Sequence, residues 1–210
     1  MHTVVWELKQ ALRDCESVLD IGCGPSSPLQ HVENIRRSVG VEAFQPYLEQ
    51  SKAAGIHTEY INSNALQLNF PDKSFDAVIL IEVIEHMPEY DGIALLERAE
   101  RWARKKVIVS TPNGFVAQHE VDGNSLQKHL SGWTVSQMSR RGYRCHGLAG
   151  LKWLRQEVSA ATMGDDLTTS IRFRPRLFWF AMAAVSQPLL YYAPRLAFEL
   201  FCIKQMESLP

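Results

Sequence analysis

The stretch Val18-Leu19-Asp20-Ile21-Gly22-Cys23-Gly24-Pro25-Ser26-Ser27 constrains the fold more than any other part of the chain. Three apolar residues around an Asp predict a short, fully buried strand. Gly22-Cys23-Gly24 then lets the backbone turn sharply, with no side chains in the way of a ligand. Ser27 followed by Pro28 is a helix start, Ser as N-cap and Pro at the first helical position. A strand, a glycine turn and a helix N-terminus form the ligand-binding corner of a doubly wound α/β sheet.

Glycine spacing narrows what that corner holds. A dinucleotide fingerprint needs G-x-G-x-x-G, and the third position here is Ser27. That argues against a NAD-dependent oxidoreductase, which stays an alternative. A P-loop is excluded because no G-K-[ST] follows.

At 210 residues, 46% hydrophobic and 21% charged, the chain reads as one globular domain over 1–210. The net charge of −1 gives no global basic footprint, so neither DNA nor RNA is favoured as a partner. Cys15, Cys23, Cys145 and Cys202 are scattered with no C-x-x-C, which fits reduced thiols in a cytoplasm. The N-terminus has neither a basic region nor a long apolar run, so no signal peptide is visible.

Around the corner the elements alternate. Val5, Leu8, Leu12 and Cys15 predict an amphipathic helix, either packed across the sheet edge or acting as a lid. Leu29, Val32, Ile35 and Arg36 predict one face of a first crossover helix, and Ser38–Phe44 the second strand. Glu42 lies 22 residues after Asp20, near the spacing at which α/β folds hold a ribose with a carboxylate. A helix over Pro46–Ala54 and a strand over His57–Ile61 follow. The apolar run Ala77–Ile81 is a central strand that delivers Glu82-Val83-Ile84-Glu85-His86 to the carboxyl edge of the sheet. Lys106–Ser110 is the fifth strand and Tyr143–Gly147 the sixth.

Residues 113–133 form an insert too long for an ordinary connection, carrying Gln118, His119, Asp122, Asn124, Gln127, His129 and Trp133. Thr134-Val135-Ser136-Gln137 is a capping box that opens a helix. Asp165–Ser170 is polar and reads as a loop. Leu177–Tyr192 is the most apolar stretch, but at 16 residues interrupted by Pro188 it falls short of a transmembrane span. With Arg172, Arg174 and Arg176 before it, the alternatives are a helix on an anionic membrane surface and core or homodimer packing. The chain would then be cytoplasmic with or without membrane association.

Val18–Ser27, Asn64–Val78 and Ile81–His86 together resemble the motifs of class I S-adenosylmethionine-dependent methyltransferases. The resemblance implies a Rossmann-like, doubly wound seven-stranded α/β sheet, mostly parallel with an antiparallel last strand at Ala197–Lys204. A helical insertion at about 171–195 would precede that strand. It implies S-adenosylmethionine as cofactor, with Asp20, Gly22, Cys23 and Gly24 at its amino-acid part and Glu42 with Ala43 at the ribose. Asn64, Ala65 and Leu66 would meet the adenine, with Glu82 on the same edge. Where the family usually has Asp, this chain has Asn64, whose carbonyl accepts without charge. Thr111–Gly114, Asp122–Asn124 and His129–Trp133 resemble a prokaryotic group linked to surface-polysaccharide methylation, so the acceptor would be the oxygen of a small polar molecule such as a sugar.

Glu82-x-x-Glu85-His86 with the later His129 is also similar to the metal-binding pattern of ubiquinone-pathway O-methyltransferases and of small-RNA 2′-O-methyltransferases. That likeness implies Mg²⁺ or Mn²⁺ on Glu82, Glu85, His86 and His129, and keeps metal-assisted RNA methylation as an alternative. Without a metal, His86, His119 and His129 are the candidate bases. A non-catalytic protein that only binds S-adenosylmethionine is the remaining alternative.

Overall fold

Continuous apolar runs become inner strands because a parallel sheet covered on both faces has no wet side. The computed structural model describes residues 2–120, 123–155 and 170–207. Its strands are β1 (Ser17–Ile21), β2 (Arg37–Glu42), β3 (Glu59–Asn62), β4 (Phe75–Ile81), β5 (Ala103–Pro112), β6 (Arg144–Leu151) and β7 (Ala197–Gln205). They make one seven-stranded sheet in the order β3-β2-β1-β4-β5-β7-β6. The first five are parallel, and β7 runs antiparallel between β5 and β6. This is the Rossmann-like sheet the sequence implied. Strand order reverses between β1 and β4, so the crevice at their carboxyl ends is where such a sheet binds ligands.

Five α-helices lie among the described residues: α1 (Val4–Ala11), α2 (Gln45–Ala53), α3 (Glu89–Trp102), α4 (Val135–Arg140) and α5 (Arg176–Tyr192). The Thr3 hydroxyl caps α1 by accepting from the Trp6 N–H. Leu8, Leu12 and Cys15 are buried against Ala77, Ile79, Ile108 and Phe201, so this segment is core and not a lid. The capping box at Thr134 and Gln137 is present and opens α4.

One predicted element is absent. In place of a first crossover helix over Leu29–Arg36 there is a single 3₁₀ turn, Pro28–His31, capped by Ser27 and reaching Leu29 with Pro28 at its start. Asn34 ends it, since its amide donates to the Leu12 and Cys15 carbonyls and ties the loop to the end of α1. The cysteines scattered in sequence also partly converge. Cys145 and Cys202 face each other across β6 and β7 as free thiols with sulfurs 2.8 Å apart. Asp122 and Asp165–Thr169 lie outside the described residues.

The insert after β5 is fastened to the end of β4. Leu130 and Ser131 donate their N–H groups to the Glu85 carbonyl, at 2.8 and 3.1 Å. The Ser131 hydroxyl and the Trp133 indole N–H both reach the Ile84 carbonyl. Trp133 is fully buried, and its ring fills the space left by Gly92 on α3, where an added Cβ would sit 2.5 Å from Cζ2. Because Trp133 is held on both sides it cannot withdraw. Gly92→Ala is therefore expected to lower unfolding free energy by about 1–3 kcal/mol despite its better helix propensity, as measured by urea denaturation.

Candidate functional site

The glycine corner is built by β1 and β2. The N–H groups of Gly22 and Cys23 both donate to the Val41 carbonyl, at 2.8 and 3.0 Å, which turns the chain back over β2. Gly22 has φ +68°, and a Cβ there would lie 2.6 Å from Val83 Cγ2. Gly24 has φ +56° and faces open space, so its need is conformational alone. Beneath the turn, Asp20 Oδ2 accepts the Ser27 hydroxyl at 2.5 Å. Burial pushes the Asp20 carboxyl up to about 7, opposed by the Ser27 hydrogen bond and reinforced by the nearby charge of Glu42. His57 sits behind it, with Nε2 3.5 Å from Asp20 Oδ2 and its ring against Gly40. Burial lowers the His57 pKa to about 4, which keeps it neutral.

Glu42 ends β2 with both carboxylate oxygens engaged, accepting from the Gly24 N–H at 3.1 Å and the Phe44 N–H at 2.8 Å. A carboxylate has about four acceptor positions, so two remain for paired hydroxyls. Glu42, Gly22, Ala43, Asn64, Ala65, Leu66, Glu82 and His86 line one cavity of about 260 Å³. Its outer wall comes from the insert, through Asn124, Leu126 and Gln127. Buried Asn124 accepts from the Leu126 N–H, while its Nδ2 has no partner among the described residues. The Asn64 carbonyl is already committed to the Leu66 N–H at 2.9 Å, so its side chain shapes the Ala65–Leu66 turn first. Cys23 is buried, with its thiol pKa pushed up by desolvation and the acids beside it, and it lies outside the cavity wall.

Three carboxyl groups cluster at the end of β4 and β5. The Ser110 hydroxyl lies 2.9 Å from Glu82 Oε1 and 2.5 Å from Glu199 Oε1. One hydroxyl carries one hydrogen, so two ionised carboxylates cannot both be satisfied by it. At least one acid holds a proton. Burial pushes Glu199 up to about 8, with the Glu82 charge adding to it. Glu85 is pushed up to about 7 by burial, opposed by its own backbone N–H and by Thr111, whose hydroxyl donates to Glu85 Oε2 at 3.0 Å. Glu82 is also raised, by desolvation and then by Glu85, although solvent reaches it through the cavity mouth. Its backbone is strained, with φ +55° at a non-glycine residue on the cavity wall. Glu199 in turn lines a second cavity of about 180 Å³ between α1, β6 and α5, together with Arg155, Phe180, Ala183 and Gln187.

Of the four metal ligands expected from sequence, Glu85, His86 and His129 offer ligand atoms within 4.8 Å of one another. Glu82 is not in that group; its carboxyl lies between the Ser110 hydroxyl and the Glu85 carboxyl. The two imidazole rings are 4.7 Å apart. His129 Nδ1 is 2.6 Å from the Val116 carbonyl and His86 Nδ1 is 3.4 Å from the Lys128 carbonyl. A carbonyl only accepts, so each Nδ1 donates there, which orients both rings. Glu85 Oε1 is buried with no hydrogen-bond partner among the described residues. Burial and the neighbouring His129 lower the His86 pKa to about 4. His119 is exposed on the insert and lines neither the cavity nor this cluster.

Sequence reasoning did not find Ser110, Thr111 or Glu199 as site residues. Ser110 and Thr111 sat in a strand and a turn, and Glu199 in a strand of otherwise apolar character. An acid amid Phe198, Leu200 and Phe201 was the available signal.

A family model described as a methyltransferase domain matches residues 19–110. Among curated proteins, the sterol 24-C-methyltransferase of Yarrowia lipolytica is 29% identical over 93 residues, 40% of this chain and 24% of that protein. The cycloartenol-C-24-methyltransferase of Arabidopsis thaliana is 29% identical over 99 residues, 43% of this chain and 30% of that protein. The matched stretch is thus between about a quarter and a third of these relatives. Among solved structures, the small RNA methyltransferase HEN1 is similar with a TM-score of 0.60 at 16% identity, covering 97% of this chain and 25% of that one. The magnesium protoporphyrin IX methyltransferase of Synechocystis PCC 6803, solved with bound S-adenosylmethionine, gives 0.53 at 13% identity, covering 97% and 78%. Residues 19–110 thus match a methyltransferase-domain model, and the likeness in fold to solved methyltransferases extends over nearly the whole chain.

The carboxyl chain sets a pH dependence. Glu199 titrates near 8 in the folded chain, well above an ordinary carboxyl, so it favours folding only while protonated. That contribution is complete below about pH 4.5 and fades as pH rises through about 8. Glu199→Gln stays neutral throughout. Its thermal midpoint relative to wild type is expected to climb steadily between those two pH values, as followed by circular dichroism.

Proposed function

We propose that this chain transfers the methyl group of S-adenosylmethionine to an oxygen of a small acceptor presented at the Glu82–His86 edge. One observation carries this reading. Glu42, with two acceptor positions left, shares a cavity with the Ala65–Leu66 turn and with a carboxyl–imidazole edge. The ribose hydroxyls would donate to Glu42. The backbone at Ala65 and Leu66 would pair with the adenine edge, and the methionine part would cross Gly22.

Transfer is an in-line displacement on a sulfonium that is already activated, so the protein's share is alignment, exclusion of water and removal of the acceptor proton. His86 reaches the cavity, and its lowered pKa keeps it neutral but makes it a weak base. Glu82 lies on the same wall, its carboxyl held above the ordinary carboxylate range by burial and then by Glu85. The sterol methyltransferase relatives favour a second reading, a carbon acceptor. Identifying the methylated atom by NMR of the product would decide between the two.

A divalent ion also fits the Glu85, His86 and His129 group, because both rings are oriented through Nδ1 and a buried carboxylate oxygen lacks a partner. Two imidazoles and one carboxylate suit Mn²⁺ better than Mg²⁺, which prefers oxygen ligands. When bound there, such an ion would make an acceptor hydroxyl more acidic.

Calorimetric titration with S-adenosylhomocysteine tests the cofactor assignment. Binding is expected in EDTA, and Glu42→Ala should weaken it roughly tenfold to a hundredfold, the loss of hydrogen bonds to a charged acceptor. Unchanged affinity would remove Glu42 from the site. In a separate experiment, Mn²⁺ added to EDTA-stripped protein should raise the unfolding temperature of wild type and leave His129→Ala unmoved. No shift in wild type would leave these three groups as a clasp for the insert alone.

A further inference from the structure

Helix α5 has two faces of different kinds. Ala183, Gln187 and Leu190 are buried toward the sheet, where Gln187 accepts from the Gly150 N–H and donates to the Gly147 carbonyl. The other face carries Leu177, Phe178, Ala181, Met182, Val185, Pro188, Leu189 and Tyr192, all open to solvent. Leu177, Val185, Leu189 and Tyr192 are each 73% to 79% exposed. At 3.6 residues per turn these positions fall within one arc of about 140° along a helix roughly 25 Å long. An isolated surface rarely leaves a continuous apolar stripe of this length uncovered.

The surroundings indicate what covers it. Arg172, Arg174 and Arg176 are exposed at the start of the helix and Arg195 is exposed just past its end. No Asp or Glu occurs from 172 to 196. Beside the first three arginines stands an aromatic group, Trp153 with Phe173 and Trp179, and Arg172 lies 6.0 Å over the Phe173 ring. Tyr192 marks the opposite end. A second copy of this helix would bring the two arginine clusters together if packed parallel, and would set each cluster against the other copy's Arg195 if packed antiparallel. An anionic lipid surface takes the apolar stripe among its acyl chains and the arginines and aromatic rings at its headgroups. No helix among the described residues is long and apolar enough to cross a membrane.

We infer that α5 is a membrane-docking helix, lying in the plane of an anionic lipid surface with the Leu177–Tyr192 stripe inserted. This inference does not depend on the catalytic reading.

Flotation of the full chain with vesicles tests it, using phosphatidylcholine alone and phosphatidylcholine mixed with phosphatidylglycerol. The protein should float with the mixed vesicles, at least tenfold more than with the neutral ones, and strong salt should reduce the difference. Val185→Asp and Leu189→Asp should each abolish flotation. Arg174→Gln combined with Arg176→Gln should weaken binding to the mixed vesicles about 25-fold, from about fivefold per arginine near an anionic surface. Circular dichroism and thermal unfolding of each variant show whether it is folded, and the exposure of all four residues predicts that it is. Failure of wild type to float with either vesicle overturns the inference. So does equal flotation with both, or a dimer in sedimentation that Leu189→Asp returns to monomer while no vesicle is bound.

Discussion

A hydrogen bond between two buried side chains, the Ser27 hydroxyl and the Asp20 carboxyl, holds the glycine corner in shape. Asp20 is the last polar group of β1 before the turn, and Ser27 begins the 3₁₀ turn after it. Closing that bond brings the two ends of the Gly22–Ser26 loop together, so the glycines turn within a fixed frame. Ser27 then accepts from Leu29 while donating to Asp20, which passes the constraint into the 3₁₀ turn. The same closure lets Glu42 receive the Gly24 N–H from the neighbouring strand. A raised carboxyl under the turn and an engaged one beside it thus arise from one geometric requirement.

The second constraint works from the opposite side of the crevice. The insert contributes Asn124, Leu126 and Gln127 to the cavity, and its position follows from Trp133 in the space over Gly92. Through Leu130 and Ser131 the insert accepts its register from the backbone of Glu85, which is also one of the clustered acids. Cavity wall, acid cluster and histidine pair are therefore mechanically one unit. A change in the packing of Trp133 would be felt at His129, four residues away in sequence.

Much of the sheet was legible because period and run length are local signals. The Ala77–Ile81 run, the capping box at Thr134 and the glycine turn each declare themselves within a few residues. The first crossover failed for a reason no window can contain. Leu29, Val32 and Ile35 have helical spacing, yet Asn34 is captured by two carbonyls from the end of α1, a contact set by the tertiary arrangement. At the site, Glu42 and Gly22 were readable by register from β1, as were Ala65 and His86 by motif. Ser110 and Glu199 were not, because β5 and β7 are brought side by side only by an antiparallel pairing across a long insertion. His119 and His129 differ in placement. They share the insert, but only His129 is drawn inward by the Val116 carbonyl.

That insertion between β6 and β7 also shows how one helix can serve two surfaces. Its inner side is fixed to the sheet through Gln187, which satisfies a donor and an acceptor of the β6 backbone at Gly147 and Gly150. Glycine at 147 lets the helix approach closely, since a Cβ there would lie 2.3 Å from the Leu190 carbonyl oxygen. Close seating at Ala183, Gln187 and Leu190 leaves Leu177, Phe178, Met182, Val185 and Leu189 on the outside. Had the helix been a core element alone, its Leu, Met and Phe residues would point toward the sheet, where burial of each is worth about 1.5–3 kcal/mol. Their outward placement gives up that stabilisation in water, and an apolar medium meeting the outer face would recover it.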